Sequence, residues 1–422
     1  MESLHTYKPV CKDYFGEFET ALAEKHRLMM RKEMKAEIQR CDRLLFDEAR
    51  RTCPVCGARM HAHGMTGEKS VLAACGEVRI RLCRLRCTAC GHIAIPGAVL
   101  IPKNGISAPL AERMCDLASR MPYGKAADSL FIQQGVRMSV KRFWGCVQKE
   151  AALIEDVLKA EATELFESGA IPAHIDLEKG KPLVIGIDGG HVRGWGDDPA
   201  FEVKCATIAT GSLPGPGKHR HLKDRVGYAA LCSVDEFRKR ISVLAIKCGS
   251  LSASAVIFVS DGAWWISKMI ADYFPDAVHV LDMYHLKHQI EALYGIRAQG
   301  IEADIRDAAL DACNTSDPDL IAEIIRTFGP RDASKAEQAA KLVAYIESNA
   351  QAIRNHRFVS IHGSGWIEKG VDLMISRRMK NRGMSWTKAG SSHIIPFAVM
   401  RYNKQWDVYW NQRKGLDRVY AA

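Results

Sequence analysis

The sequence has no apolar run long enough to cross a membrane. A membrane-spanning helix needs roughly 18–20 consecutive apolar residues, and no stretch of the 422 residues approaches that length. The first residues, MESLHTYKPVCKDY, also lack the short apolar segment of a secretory signal peptide. These two absences argue against a transmembrane or secreted protein, and we expect a cytoplasmic location without a membrane partner.

The sequence is also short of negative charge. It has 49 Asp and Glu against 59 Lys and Arg, so its formal net charge is +10. The excess is concentrated between Lys369 and Lys414, where ten Lys and Arg stand against two Asp, a balance of +8 in 46 residues. Such a segment indicates an anionic partner, although a solvated basic tail would have the same composition.

Signs of a disulfide framework are absent too. Fourteen cysteines in a chain with this expected location indicate free thiols and metal sites, because disulfides are rare in the cytosol. With 422 residues, 47% of them apolar and 26% charged, the chain is long enough for a large core and for more than one domain.

Proline and glycine are missing from Glu17 to Arg51. This segment places apolar residues among many charged ones, which predicts one or two amphipathic helices. Residues 1–50 are therefore interpreted as an N-terminal helical segment.

Two cysteine pairs indicate a structural zinc site. Cys53-Pro-Val-Cys56 and Cys87-Thr-Ala-Cys90 are CxxC knuckles with 30 residues between them, and each is followed by a glycine. Four such thiolates can bind one Zn²⁺ tetrahedrally, and the glycines suit the tight turns beneath the metal. Between the knuckles, Val71–Leu85 predicts a β-hairpin that turns at Gly76-Glu77, which makes the whole segment a zinc ribbon.

Other thiols and imidazoles lie close to these knuckles in the sequence. Cys75 and Cys83 could serve as alternative ligands, but buried strand positions explain them better. Three nearby histidines could also substitute: His61, His63 and His92.

The hairpin between the knuckles carries basic residues at alternate positions. Arg79 and Arg81 alternate with Ile80 and Leu82, which predicts one basic face and one apolar face. The basic face is a candidate phosphate-contacting surface, and an ordinary solvated face is the alternative.

Three helices are predicted after the zinc ribbon. Ser107 is the expected N-cap of a first helix that runs to Ser119, and Tyr123–Gln134 predicts a second. Gly135–Met138 forms a turn, and Ser139 caps the third helix. A helix after a glycine turn is typical of a helix-turn-helix, whose second helix enters the major groove, although any three-helix bundle has this pattern.

The third helix is predicted to have an apolar stripe and a basic remainder. Lys141 and Arg142 point away from the stripe, and we expect them to contact DNA. The stripe positions, at i, i+3, i+4 and i+7, are Val140, Phe143, Trp144 and Val147.

Three acidic residues in separate stretches form the candidate catalytic set. Asp188 follows an apolar strand and precedes Gly189-Gly190, which would let the backbone turn sharply beside it. Asp261 ends a second apolar strand, and Glu368 opens a predicted helix. Aspartate before glycine is also common turn chemistry. Together, however, two strand-end aspartates and a glutamate beside a basic segment can hold two divalent cations for phosphodiester chemistry.

The elements around these acids predict an α/β fold. Strands are expected to Asp188, over 201–209 and 226–231, to Asp261 and over 277–282, with helices over 234–246 and 263–273 and a loop over 211–217. An antiparallel start followed by alternating strands and helices indicates a mixed sheet with helices on its faces. Residues 285–350 are helical in pattern, with breaks at 314–318 and 329–330, and are interpreted as an insertion before Glu368.

These motifs resemble those of insertion-sequence transposases of the DDE class, particularly the ISKra-type group and, more distantly, the Mutator-like superfamily. The matching pieces are IDGGHVRG with Asp188, FEV at 201–203, VSDGA with Asp261, LDMYH at 281–285 and GSGWIEKGVDLMISRRMKNRGMSW at 363–386. The resemblance covers most of residues 50–400, and its last block is the most specific. Lys369-Gly370 after the glutamate departs from the small or polar residues expected there.

The resemblance implies an RNase H-like fold with a helical insertion, preceded by the zinc ribbon and the helix-turn-helix. Carried over residue by residue, Asp188, Asp261 and Glu368 are the catalytic acids and hold two Mg²⁺ or Mn²⁺ ions. Asp282-Met-Tyr-His285 matches a DxxH signature. His285 would contact phosphate or orient a nucleophile, with a core or helix-cap role as the alternative, and Asp282 is at most a reserve ligand.

The implied domain boundaries follow the motifs. They are an N-terminal helical segment (1–50), a zinc ribbon (51–102), a helix-turn-helix-like DNA-binding region (103–170), the first part of the RNase H-like catalytic core (171–285), a helical insertion (286–360), and the last part of the core with the catalytic glutamate and a basic C-terminal region (361–422).

Basic residues after the glutamate are expected to hold the DNA backbone beside the metals. These are Arg377, Arg378, Lys380, Arg382 and Lys388. Trp386 either stacks on an unpaired base at a cleaved end or belongs to the core. Trp264-Trp265, just after Asp261, is expected to be core packing rather than a base-stacking pair.

The implied function is that of a DNA transposase, which binds the terminal repeats of its insertion sequence and catalyses strand cleavage and strand transfer. Its partners would be double-stranded DNA, as terminal repeats and target, and further copies of the chain in a homodimer or higher oligomer. It would be associated with the nucleoid of a prokaryote. The alternatives are a domesticated DNA-binding protein that does not transpose and an RNase H-like nuclease without strand transfer.

Overall fold

Two units make up the chain. One takes its residues from 1–150 and 408–422, and the other from 151–407. The computed structural model describes residues 13–214, 220–330, 332–358, 365–380 and 383–415, without the side chains of 210–214, 220–224 and 333. Within these ranges, no helix has both the length and the apolar character needed to pass through a membrane.

The first unit combines a long helix, two small sheets and a helical region. In chain order its elements are α1 (Tyr14–Ala49), β1 (Met60–Met65), β2 (Lys69–Ala73), β3 (Gly76–Ile80), β4 (Cys83–Cys87), β5 (Ile93–Ala94), a 3₁₀-helix (Pro96–Leu100), α2 (Ala108–Arg120), α3 (Tyr123–Gln134) and α4 (Val140–Ser168), whose C-terminal part belongs to the second unit.

The N-terminal helical prediction is confirmed as one helix of 36 residues. The Asp13 side chain caps α1 by accepting a hydrogen bond from the Gly16 N–H at 3.0 Å. Further along, Met34 and Ile38 pack against the apolar side of β2 and β3. Asp42 is buried, and its Oδ2 accepts from the Cys83 N–H at 2.8 Å, which ties α1 to the start of β4.

The predicted hairpin over Val71–Leu85 is only partly correct. Strands β2 and β3 pair antiparallel and turn at residues 74–75, with Gly76 already in the second strand. Leu85 lies in β4, which pairs instead with β1 and β5 in a separate three-stranded sheet. The predicted alternation holds, because Ile80 and Leu82 are buried whereas Arg79 and Arg81 are exposed.

The three helices after the ribbon begin where the sequence predicts. Gly135 takes a left-handed conformation with φ of 68°, which ends α3, and the Ser139 Oγ accepts from the Arg142 N–H at 3.2 Å at the start of α4. The stripe on α4 was predicted wrongly in part, because Phe143 and Val147 are buried whereas Val140 and Trp144 are exposed. The buried face is rotated toward Cys146 and Glu150, and α4 continues without a break at residue 150.

The second unit is built on a five-stranded sheet. Its elements are β6 (Leu183–Val192), β7 (Phe201–Pro214), β8 (Arg220–Ala230), α5 (Val234–Lys247), β9 (Val256–Ser260), α6 (Trp264–Tyr273), β10 (Val278–Leu281), α7 (Met283–Tyr294), α8 (Ile301–Asn314), α9 (Pro318–Phe328), α10 (Ala333–Ser348), α11 (Ala350–Asn355), a 3₁₀-helix (His356–Phe358), α12 (Gly365–Val371), a π-helix (Asp372–Ser376), α13 (Arg377–Met379), α14 (Lys388–Ser392), α15 (Ile395–Tyr402) and α16 (Trp406–Lys414), whose last part belongs to the first unit.

The strand order of this sheet is β10-β9-β6-β7-β8. Strands β6, β7 and β8 pair antiparallel, whereas β9 and β10 run parallel to β6. This arrangement confirms the predicted mixed sheet with an antiparallel start. Strands β7 and β8 are both longer than expected, and β7 takes up residues 211–214 of the predicted loop.

Helices cover both faces of the sheet. Alternate β6 residues, including Ile185 and Ile187, share one core with α5 and α6. On the other face, Trp366 and Ile367 of α12 pack against β9 and β10. Helices α7 to α11 have a core of their own that continues from Leu281, so the predicted helical region is confirmed. A further break at Gly295–Gly300 was not predicted.

Candidate functional site

The four predicted zinc cysteines come together in the first unit. Cys53, Cys56, Cys87 and Cys90 place their Sγ atoms within 4.8 Å of one another. The Sγ atoms of Cys53 and Cys90 are 3.7 Å apart, and those of Cys56 and Cys87 are 3.5 Å apart. Tetrahedral Zn–S bonds of about 2.3 Å require sulfur–sulfur distances of about 3.8 Å. The cluster therefore fits one zinc ion.

The two knuckles have the same backbone structure. The Gly57 N–H donates to the Cys53 carbonyl at 3.0 Å, and the Gly91 N–H donates to the Cys87 carbonyl at the same distance. Both glycines have positive φ angles, +76° and +75°, so their predicted role in the turns is confirmed. Backbone N–H groups of Cys90 and Ala89 lower the pKa of Cys87 to about 6, which favours the thiolate that binds metal.

The alternative zinc ligands are not part of this cluster. Cys75 is buried and its thiol contacts the Met34 sulfur at 3.6 Å, which is the strand position expected for it. Among the described residues, the group of metal-ligand side chains at the knuckles consists of the four cysteines and contains no histidine.

In the second unit, three aspartates lie in a row across adjacent strands. Strand pairing places Ile187 of β6 beside Ser260 of β9, and Ser260 beside Leu281 of β10. Each of these residues is followed by an aspartate: Asp188, Asp261 and Asp282. Because parallel strands in register hold equivalent residues at the same level, Asp188 lies beside Asp261, and Asp261 lies beside Asp282. Asp261 and Asp282 directly follow β9 and β10, whereas Asp188 lies inside β6 and not at its end as predicted. We call the three aspartates the aspartate row.

The helix that carries Glu368 lies close against β6. Residues 365–379 form α12, the π-helix and α13 without a break, and we call them the glutamate helix. Gly186 and Gly190 flank Asp188 on the same face of β6. A Cβ at Gly186 would lie 2.6 Å from the Trp366 ring, and one at Gly190 would lie 2.8 Å from Ile375 Cδ1. The two glycines therefore permit the close approach of this helix.

This packing corrects the predicted role of Gly189-Gly190. Neither residue has a positive φ, and β6 continues straight through them to Val192. The glycines do not form a sharp turn, and Gly190 is instead required for space. Gly370, where the sequence departs from the transposase motif, is also required for space. A Cβ at this position would overlap the Thr207 hydroxyl.

The side chain of Glu368 reaches the aspartate row at Asp282. Ligand atoms of Asp282, His285 and Glu368 all lie within 4.8 Å of one another. The Asp282 carboxylate caps α7 by accepting from the Tyr284 N–H at 3.0 Å, and its other oxygen is 3.6 Å from His285 Nε2. The structure thus brings the DxxH residues together with the glutamate. Asp188 and Asp261 are not members of this group.

Electrostatic repulsion runs along the row. Burial raises the pKa of Asp188, and the charges of Asp261 and Asp282 raise it further, whereas the Gly189 N–H and His285 oppose the shift. The Asp188 carboxylate accepts from that N–H at 2.6 Å. Carboxylate oxygens are the ligands that Mg²⁺ and Mn²⁺ prefer. Partly buried carboxylates that repel one another therefore fit a divalent cation.

The helical segment after β10 also supports Asp261. The Tyr345 hydroxyl of α10 donates to the Asp261 carbonyl, and the Ala263 N–H donates to the Asp261 carboxylate at 3.0 Å. Behind the row, His279 Nε2 and the Ser260 hydroxyl are hydrogen bonded at 2.9 Å, and burial lowers the pKa of His279 to about 4. Main-chain and side-chain contacts thus fix the central aspartate from two sides.

The predicted DNA-contact residues occupy different environments. Those that are exposed are Arg79, Arg81, Lys141, Arg142, Arg377, Lys380 and Lys388. Arg79 is paired with Glu77 at 3.1 Å, Arg377 with Asp372 at 3.0 Å, and Lys388 with Asp198 at 3.8 Å. Arg382 lies outside the described residues.

Arg378 and Trp386 form a buried pair rather than a DNA surface. Arg378 is 6% exposed, and its guanidinium lies 4.6 Å from the centre of the Trp386 ring. The Trp386 indole N–H donates to the Met379 carbonyl at 3.1 Å. Of the two predicted roles of Trp386, its burial supports packing in the core. Arg378 is buried against the same ring, so its guanidinium is not placed to contact a phosphate.

The close approach at Gly186 yields a stability prediction. Gly186→Ala is expected to lower the free energy of unfolding by about 1–3 kcal/mol, since the added methyl group overlaps Trp366 and Ile367. Urea unfolding of the full chain measures the change.

Gly365→Ala is the control, because a Cβ at Gly365, the first residue of the glutamate helix, meets open space. Alanine at that position should leave the stability unchanged or raise it slightly. Equal stability of wild type and Gly186→Ala would show that the glutamate helix is not packed as described.

Comparison with known proteins places the second unit in a family. The model of an uncharacterised protein family, UPF0236, matches residues 173–414, which are 242 of the 422 residues. The sequence has no significant match among curated proteins. The matched segment contains the aspartate row and Glu368, and because it is more than half of the chain, the chain belongs to UPF0236.

Proposed function

We propose that the chain is a DNA transposase of the DDE class. It binds the terminal repeats of its insertion sequence and catalyses strand cleavage and strand transfer. The observation that carries the proposal is the aspartate row, formed by strand register and approached by Glu368 of a separate helix. An aspartate before a glycine can have a purely local role in a turn. A local role does not explain why acidic residues from four parts of the chain lie together.

The proposed metal ligands are Asp188, Asp261 and Glu368. Asp282 is added as a candidate ligand because of its place beside Glu368. Two Mg²⁺ or Mn²⁺ ions, when bound, supply Lewis acidity at the reacting phosphate. The protein's part is to hold its carboxylates in a fixed arrangement, for which the hydrogen bonds at Asp188, Asp261 and Asp282 are suited. His285 is proposed to contact phosphate or to orient the nucleophile.

An RNase H-like fold of the second unit is part of the proposal. Three features support it: the antiparallel start of the sheet, the two parallel strands beyond β6, and the helices on both faces. Helices α7 to α11 stand between β10 and the glutamate helix, as the resemblance implies for a helical insertion.

DNA binding is proposed for the first unit and for the glutamate helix. The four-cysteine cluster would hold a structural Zn²⁺, and the exposed Arg81, Lys141 and Arg142 would contact phosphates. Lys380, directly after the glutamate helix, would do so in the second unit. Terminal repeats and target are double-stranded DNA, and a homodimer or higher oligomer would hold two ends together. The proposed location is the cytoplasm, at the nucleoid of a prokaryote.

The proposal is tested by incubating the full chain with labelled DNA that carries the ends of its element. Specific strand cleavage and joining are expected in Mg²⁺ or Mn²⁺, and neither in Ca²⁺ or a chelator, although binding persists in Ca²⁺. Specific binding without cleavage in any metal would favour a domesticated DNA-binding protein. Cleavage of any DNA without joining would favour a nuclease.

A further inference from the structure

A cleft of about 360 Å³ opens beside Asp261 in the second unit. Its walls come from the start of α6, from α7 and from the end of α10, and Asp261 and His285 border it directly. The cleft is at the small end of the range of ligand sites. A single planar ring system fits such a volume better than a longer ligand does.

The indole of Trp264 stands exposed at this cleft. Trp264 is the first residue of α6 and is 77% exposed, whereas the next residue, Trp265, packs against Phe237 with ring centres 6.0 Å apart. The prediction that both tryptophans are core residues is therefore wrong for Trp264. The inner side of α6 is already filled by apolar residues such as Ile266 and Met269, so the first indole is left on the surface.

Polar groups suited to the edge of a base line the same cleft. Ser267 Oγ is buried and has no hydrogen-bond partner among the described residues. A buried hydroxyl without a partner is unfavourable, and a ligand with donors and acceptors would satisfy it. Gln289 adds a side-chain amide to the lining. Asn349 is fixed in place, because its Nδ2 donates to the Tyr345 carbonyl at 3.0 Å.

We propose that this cleft binds one unpaired nucleobase of the DNA substrate, stacked on Trp264 beside the reacting phosphate. The inference rests on the proposed function, because it places the base next to the aspartate row. Aromatic side chains bind unpaired bases of any sequence by stacking. A base within a duplex cannot present its face to Trp264, so the base must be extrahelical or lie in a single strand.

The charges around the cleft favour a base over a free nucleotide. Asp261 and His285 line the cleft, and the Asp282 carboxylate lies 3.6 Å from His285 Nε2. The two negative carboxylates would repel a phosphate placed in the cleft itself. The neutral ring of a base avoids that repulsion. The phosphate of the same nucleotide would lie at the aspartate row, where bound cations compensate its charge.

The experiment uses the full chain and duplexes of the element end with 2-aminopurine at each position near the cleavage point. Binding is measured in Ca²⁺ and cleavage in Mg²⁺. Wild type is expected to change the fluorescence at one position, since that base leaves the stack and meets the indole. Trp264→Ala should abolish this change and slow cleavage about tenfold to a hundredfold. Trp264→Phe should restore most of both.

Trp195→Ala is the matched control, since Trp195 is also exposed in the second unit and does not line the cleft. It should behave as wild type. If Trp264→Ala cleaves and gives the fluorescence change as wild type does, the base site is wrong while the proposed function stands. If wild type neither binds nor cleaves these duplexes, both fall. If a free nucleoside monophosphate displaced the 2-aminopurine base from the cleft as well as unlabelled element DNA does, the cleft would be a nucleotide site. That result would overturn its assignment to a DNA base.

Discussion

Asp261→Asn is expected to slow DNA strand cleavage roughly a thousandfold, which corresponds to about 4 kcal/mol of transition-state stabilisation. Asp261 is the central member of the aspartate row, and its charge would be essential for holding the cations. Asparagine retains the oxygen that accepts from the Ala263 N–H at 3.0 Å, so the local backbone should be preserved. Asp188→Asn and Glu368→Gln are expected to lose cleavage to a similar degree, measured as single-turnover rates on labelled element ends.

The same assay assigns a role to Asp282. Asp282→Asn keeps the cap on α7, because asparagine is an equally good N-cap residue, but removes the charge beside Glu368. We expect a loss of at least about tenfold, as for groups that orient metal ligands. Full activity of this variant would exclude Asp282 from the metal site.

Asp276→Asn is the control for all four variants. Asp276 is exposed in the turn before β10, at the opposite end of that strand from Asp282. Its variant should cleave as wild type does, and every variant should bind DNA as wild type does. The central inference would be wrong if the Asp188, Asp261 and Glu368 variants cleaved as fast as this control.

Cys53→Ser is expected to remove the zinc ion and to unfold the three-stranded sheet around it. Binding of Zn²⁺ to four thiolates contributes about 10 kcal/mol or more to the folding of small zinc domains. Among the described residues, the apolar cluster at the knuckles buries Met60 and Leu85 besides Cys53 and Cys87, with a few partly buried residues such as Phe46 packed against it, so the core of this sheet is small. Elemental analysis should give one zinc per wild-type chain and none for Cys53→Ser.

Cys41→Ser serves as the thiol control in this measurement. Cys41 lies on α1, outside the metal cluster. The Cys41→Ser variant should keep one zinc per chain. The backbone amides of β1 and β4 should exchange with solvent as slowly in this variant as in wild type. The zinc assignment would fail if wild type bound no zinc, or if Cys53→Ser kept both the metal and the protected amides.

Much of the secondary structure could be predicted from local signals. Helix α3 has the predicted bounds Tyr123–Gln134 because a proline precedes it and Gly135 ends it. The apolar runs before Asp188 and Asp261 predict strands, and strands lie there, although β6 continues past Asp188 to Val192. Local signals of this kind act within a few residues, so they do not depend on the rest of the fold.

The alignment of the aspartate row could not be predicted in the same way. It depends on the register of three strands that are far apart in sequence, and register is set by packing on both faces of the sheet. The third strand, β10, is also followed by an aspartate, Asp282, but its pairing with β9 cannot be read from the sequence. The close contact between Gly190 and Ile375 also joins residues that are far apart in sequence. The sequence therefore predicts a turn at Gly190 and not a need for space.

The sequence predicts Trp144 and Trp264 as core residues, and both are exposed. The apolar pattern of a helix does not fix which border residues of its apolar face are buried. Trp144 lies near the apolar stripe of α4, yet the stripe turns toward Cys146 and leaves it exposed. Trp264 and Trp265 are adjacent, so on a helix they point about 100° apart, and only one can face the sheet. An apolar residue at the border of a stripe can lie on either side of it.

The order of the acids along the chain also sets the order in which the site can form during synthesis. Asp188, Asp261 and Asp282 emerge first, and their strands can pair as soon as β10 is complete. The glutamate helix follows only after α7 to α11, and its packing on Gly186 joins residues about 180 positions apart. Contacts of such long range form slowly. A growing chain therefore carries its aspartates for some time without their fourth partner, and the complete acidic group forms only after the glutamate helix has been synthesised.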